Sequence, residues 1–116
     1  METKWKIVVY PKGNTEEDKN FLSLFLCNET KADVNAKFRF SFLDASKTLQ
    51  HTRNCGSVKL FKKSGNEWGF CQYLDLVTLQ NQAEKLLPDG NLTIFCDVTV
   101  VGPKKTHYKD FRIADG

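Results

Sequence analysis

Few residues of this 116-residue chain have side chains able to carry covalent or metal chemistry: Cys27, Cys55, Cys71 and Cys96, with His51 and His107. A thiolate nucleophile needs a base held beside it, and no local signature joins any of these thiols to either imidazole. His51 falls in a polar stretch that reads as a loop and His107 in the C-terminal tail, both places for solvated side chains. Zinc needs about four convergent ligands, and the cysteine spacings include no Cys-x-x-Cys pair. Adjacent carboxylates occur at Glu16-Glu17, inside the charged run "NTEEDKN", where solvation accounts for them without an acid–base role. The glycines stand singly, not in a loop that could cradle a phosphate. These absences predict a protein that is not an enzyme and needs neither metal nor cofactor.

Binding chemistry has more support. In "SGNEWGFCQYL", residues 64–74, Trp68 and Phe70 flank Gly69. In an extended segment residues two apart project to the same side, and a glycine between them leaves the backbone open to close approach. Two large rings in so polar a context can be a second core layer or a binding surface, and composition leaves both readings open.

The elements that must hold these rings are mostly strands. In "WKIVVY" Trp5, Ile7 and Val9 alternate with Lys6, Val8 and Tyr10, and "PKG" supplies a turn. "FLSLFLC" places Leu22, Leu24 and Leu26 on one face and Phe21, Ser23 and Phe25 on the other, so Phe25 needs a separate cover. "AKFRFSFLD" sets Phe38, Phe40 and Phe42 against Lys37, Arg39 and Ser41, and "NLTIFCDVTVV" sets Leu92, Ile94, Cys96, Val98 and Val100 against Thr93, Phe95, Asp97 and Thr99. "VTLQNQAEKLLPDG" breaks the series: Val77, Leu79, Ala83, Leu86 and Leu87 fit one short helix, stopped by Pro88-Asp89-Gly90. Short strands separated by turns, in one domain of this length, predict an all-β, antiparallel β-sandwich with one short helix.

With 41% hydrophobic and 27% charged residues the chain should fold, having too many apolar residues for a disordered one. Seventeen basic against fourteen acidic residues give a net charge of +3, scattered along the sequence, and the doublets Lys62-Lys63 and Lys104-Lys105 are too sparse for a nucleic-acid stripe. No apolar run is long enough to span a bilayer, and "METKWKIVVYPKG" carries charges where a secretory signal needs an apolar core. An intracellular protein is therefore expected, with reduced cysteines, and with the sequons at Asn28-Glu29-Thr30 and Asn91-Leu92-Thr93 read as chance.

The segments "WKIVVYPKG", "FLSLFL", "AKFRFSFLD", "WGFCQYL" and "LLPDGNLTIFCDVTVV" resemble, in order and spacing, the MATH domain (meprin and TRAF-C homology), over residues 5–101. The likeness is greatest to the substrate-binding domain of the speckle-type POZ proteins. That resemblance implies a TRAF-like β-sandwich over residues 1–102, followed by a tail at 103–116. It implies recognition of a short extended Ser/Thr-rich peptide in substrate proteins, in the nucleus or cytoplasm. A separate BTB/POZ domain, not present in this sequence, makes the family's contact with a cullin-RING ubiquitin ligase scaffold.

By the same resemblance, Trp68 and Phe70 match the aromatic pair of the peptide groove, Phe25 a groove tyrosine and Phe38 a groove phenylalanine. Gly69 matches a glycine whose backbone bonds the peptide, and Glu67 an acidic residue facing its Ser/Thr side chains. Lys59 stands where the family has a second groove tyrosine, and Asn66 and Cys71 stand where it has lysines. These departures imply an altered peptide preference, or loss of binding to the family's usual motif. The family's domain also begins earlier, with a strand that pairs with the last one. Its absence implies an exposed edge on "NLTIFCDVTVV" and, as an alternative function, a module that self-associates through that edge.

Overall fold

The computed structural model describes residues 2–102, so the expected tail at 103–116, with His107, lies outside the described residues. In chain order the strands are β1 (Trp5–Tyr10), β2 (Phe21–Asn28), β3 (Val34–Leu43), β4 (Leu49–Asn54), β5 (Lys59–Phe61), β6 (Glu67–Asp75) and β7 (Thr93–Val101). Two short helices, α1 (Leu76–Asn81) and α2 (Ala83–Leu86), join β6 to β7. One antiparallel sheet has the order β1-β2-β6. In the other, β7 runs along one edge of β3 over residues 35–43, so β4 and β5, which pair with the same stretch of β3, share its opposite edge. The expected all-β sandwich is what forms.

Strand alternation builds the core. Leu22, Leu24 and Leu26 of β2 and Val34, Ala36, Phe38, Phe40 and Phe42 of β3 are all buried, facing one another across the sandwich. Each such leucine or phenylalanine contributes roughly 1.5–3 kcal/mol when withdrawn from water. Phe38 meets Phe40, Phe61 and Phe70 at ring-centroid distances of 5.6, 5.9 and 6.2 Å, all near edge-to-face, the arrangement ring quadrupoles favour. Phe25 lies on the outer face of its sheet, as its parity requires, and its cover is Tyr10, edge-to-face at 5.8 Å.

Two buried polar residues mark irregular strand pairing. Between the pairs Leu22↔Leu74 and Leu24↔Phe70, one residue of β2 opposes three of β6, and Ser23 Oγ donates to the Cys71 carbonyl at 2.6 Å. This bulge also turns Tyr73 into the core. In β4, His51 and Thr52 together oppose Ser41, with His51 at a positive φ of 54°. The expected loop around His51 is therefore a strand. Its sequence, "LQHTRN", lacks alternation because an edge strand with a bulge buries neither face continuously. His51 is no solvated bystander: its Nε2 lies 2.8 Å from Gln82 Oε1.

The single expected helix is two. The chain turns at Gln82 (φ −108°, ψ 20°), because its apolar positions do not share a face: Val77 is 68% exposed while Leu86 is fully buried. Asp75 caps α1 by accepting from the Thr78 amide (3.1 Å) and hydroxyl (2.6 Å), and those bonds hold its carboxyl below the ordinary carboxylate range. The stop at Pro88–Gly90 is present as a 3₁₀ turn.

Burial raises two acids. The Tyr73 hydroxyl lies within hydrogen-bond reach of the Phe40 carbonyl at 3.0 Å and of the His51 carbonyl, and desolvation pushes it from 10.0 to about 12. Desolvation, with a smaller contribution from the Asp97 charge, pushes the Cys96 thiol from 9.0 to about 11. Both protons are held more tightly in the folded than in the unfolded chain. The stability they supply is whole below pH 9 and falls as pH rises through about 9 to 12. Urea unfolding at about pH 8.5 and 11 should show this loss, and Tyr73→Phe should reduce it to the Cys96 part while costing about 1 kcal/mol of stability at the lower pH.

Candidate functional site

The segment that raised the question of binding is β6, and β2 is its one strand partner among the described residues. Register decides where its side chains go. Trp68 opposes Leu26 and Phe70 opposes Leu24, so both rings project on the face of the buried leucines, toward the second sheet. Glu67 opposes Cys27 and Gly69 opposes Phe25, on the outer face. The predicted site residues therefore form two groups, one on each side of β6.

On the inner side, the edges of the two sheets form an aromatic rim. Trp68 is 40% exposed, and its Nε1 donates to the Leu60 carbonyl of β5 at 2.8 Å. Lys59 Nζ stands 5.0 Å from the centroid of that indole. Phe70, half-buried, packs against Phe38 at 6.2 Å and Tyr73 at 5.5 Å. Arg53 of β4 lays its guanidinium 5.7 Å from the Phe70 centroid and 5.3 Å from that of Tyr73. Phe38 is almost fully buried, so its part in the rim is to support Phe70 from below.

On the outer side, Gly69 is the point of closest approach to β2. A Cβ there would fall on the Leu24 carbonyl oxygen and lie 2.6 Å from Phe25 Cα and 2.9 Å from the Phe25 ring. The close approach that this glycine permits is that of its own neighbouring strand. The Phe25 ring lies over it, as an aromatic residue opposite a glycine does when it shields the exposed backbone.

Asn66 and Cys71, which the resemblance sets at lysine positions, act within the fold. The Asn66 side chain accepts from the Lys62 amide at 3.0 Å, and the Cys71 carbonyl takes the Ser23 hydroxyl. Sequence reading missed Arg53 and Tyr73. Arg53 lies in a strand without alternation, and only the bulge, which no residue pattern announces, turns Tyr73 inward beside Phe70.

Among the described residues, no group of three or more His, Cys, Asp or Glu side chains converges to hold a metal ion, and no helix is long and apolar enough to cross a membrane. The arrangement offers an unshared strand edge with rings on both sides and cations beside two of them, which is equipment for holding an extended segment of another protein.

Fold and site together define a β-sandwich interaction module. The family model of the MATH domain matches residues 2–98, and the chain belongs to that family, whose domains are in general non-catalytic modules that bind other proteins.

Proposed function

We propose that this domain binds a short linear peptide of a partner protein along the outer edge of β6, as the substrate-receptor part of a ubiquitin ligase adaptor of the speckle-type POZ kind. The observation that carries the reading is the β6 edge itself. A peptide added there as a strand takes its orientation from main-chain hydrogen bonds and sends alternate side chains to the two faces. One set meets Trp68, Phe70 and Lys59, and the other meets Phe25 and Glu67 beside Gly69. This accounts for predicted site residues lying on both sides of one strand. The partner protein is nuclear or cytoplasmic in this reading, and contact with the ligase scaffold belongs to a BTB/POZ domain.

An isotope-labelled chain titrated with a Ser/Thr-rich peptide should show amide shifts concentrated at residues 67–71. Trp68→Ala should weaken binding by about 2 kcal/mol, roughly thirtyfold, since half-exposed aromatic anchors carry much of such an interface. Because Trp68 is 40% exposed, its thermal midpoint should stay within a few degrees of the parent. A dispersed spectrum that no peptide moves, or a Trp68→Ala chain that unfolds, would set this reading aside.

A second reading rests on β7. Among the described residues it pairs with β3 alone, leaving its other edge unshared, with Phe95 43% exposed on one side. Self-association through that edge predicts a mass that doubles with concentration. A peptide receptor should bind whether or not it assembles.

A further inference from the structure

Among the described residues, two cations of the rim have no ion-pair partner. The ion pairs of the described residues are Lys6–Glu29, Lys19–Glu16 and Arg39–Asp97, and neither Arg53 nor Lys59 takes part in one. Each is instead set beside a ring: Lys59 at Trp68, Arg53 at Phe70 and Tyr73. Stacking orders a long side chain while leaving its N–H groups directed to solvent, so the entropy of placing a cation in the groove is largely spent before any ligand arrives. The nearest acidic residue along β6, Glu67, opposes Cys27 and so projects from the other face.

Their spacing is also specific. Trp68 and Phe70 are two residues apart on one strand, which separates them by about 7 Å. The cations beside them come from different strands: Lys59 of β5 stands at Trp68, and Arg53 of β4 stands at both Phe70 and Tyr73. An extended peptide alongside β6 presents its side chains on this face at the same interval.

We propose that Arg53 and Lys59 select the ligand: the peptide carries anionic side chains, carboxylate or phosphate, at two positions separated by one residue, both facing the inner side of β6. The inference rests on the peptide-binding reading and adds to it the chemistry of the bound motif. Arg53 is the stronger reader, because its planar fork engages a carboxylate or phosphate with two parallel hydrogen bonds while its face stays on the rings.

The test is a fluorescence anisotropy series with the full chain and four labelled peptides of one apolar and Ser/Thr-rich framework: neutral, acidic at alternate positions, acidic at adjacent positions, and phosphoserine at alternate positions. The alternate acidic or phosphorylated peptide should bind about tenfold or more tightly than the neutral one. Its advantage should exceed that of the adjacent acidic peptide and shrink as salt rises. Arg53→Gln and Lys59→Gln should each reduce the ratio of alternate-acidic to neutral affinity, and Arg53→Lys should restore part of it. Tighter binding of the phosphopeptide identifies a modified partner, and tighter binding of the acidic peptide an unmodified one; either bears out the proposal. Equal binding of neutral and alternate acidic peptides, or an advantage that survives both glutamine variants, overturns the selection while leaving peptide binding intact. Failure of all four to bind a chain with a dispersed spectrum overturns both.

Discussion

Asn28→Asp should remove about 3–5 kcal/mol of folding stability, a large share of the 5–15 kcal/mol that a domain of this size possesses. Asn28 is fully buried at the end of β2. Its Nδ2 lies 3.1 Å from the Ala32 carbonyl, 3.1 Å from that of Phe61 and 3.3 Å from that of Lys62, and its Oδ1 accepts from the Thr30 amide at 2.8 Å. Its main chain accepts from Gly65 at 2.9 Å and donates to the Asn66 carbonyl at 3.0 Å. One residue thus ties β2, by its side chain, to the turn before β3 and the end of β5 and, by its main chain, to the start of β6.

Aspartate has the same shape but turns the donor into an acceptor. Three carbonyl oxygens would then face a carboxylate oxygen at a fully buried position, and desolvation adds to that repulsion. Urea unfolding measures the loss. Asn28→Ala, which leaves the carbonyls without a donor but adds no charge, should cost less, about 2–3 kcal/mol. The deficit of Asn28→Asp should narrow as pH falls, because protonation removes the charge and restores one donor. A loss under about 1 kcal/mol would mean that the end of β2 relaxes and lets water in. The same geometry bears on the sequon at Asn28: the amide that a glycan would occupy is committed to three carbonyls, and Thr30 Oγ1 accepts from the Lys4 amide at 2.8 Å.

Gly69→Ala has the second largest expected effect, and it separates two roles for the residue. The added Cβ would fall on the main chain of β2, at the Leu24 carbonyl and 2.6 Å from Phe25 Cα. Backbone cannot step aside as a flexible side chain can, so β6 must move away from β2 and carry Trp68 and Phe70 with it. The strain should lower stability by about 3 kcal/mol. Peptide binding should fall as well, since the rim depends on the placement of those rings against Phe38 and Tyr73. If Gly69 served only as a backbone contact for ligand, Gly69→Ala would weaken binding and leave the unfolding midpoint in place. A combined loss in both measurements identifies the strand contact as its first role.

Much of this molecule is legible without coordinates. The alternation in "FLSLFLC", "AKFRFSFLD" and "NLTIFCDVTVV" names the strands and the faces they bury, because a period of two is a local property of extended chain and hydrophobic burial acts on it residue by residue. The same rule places Trp68 and Phe70 on one side of β6 and Phe25 on the outer face of β2. What the tertiary structure alone decides is non-local. Register against β2 puts Gly69 beneath the Phe25 ring and sets Glu67 apart from the two aromatics. A bulge turns Tyr73 inward, and another places His51 at a positive φ within a strand. Arg53 and Lys59 reach their rings from strands that carry no apolar alternation. Whether a polar residue is solvated or set over an aromatic ring depends on which strand the chain brings beside it, and pairing energy is shared between segments that are distant in sequence. The sequence therefore determined the sandwich and the rings available to it, and tertiary pairing assembled them into a rim with two charges.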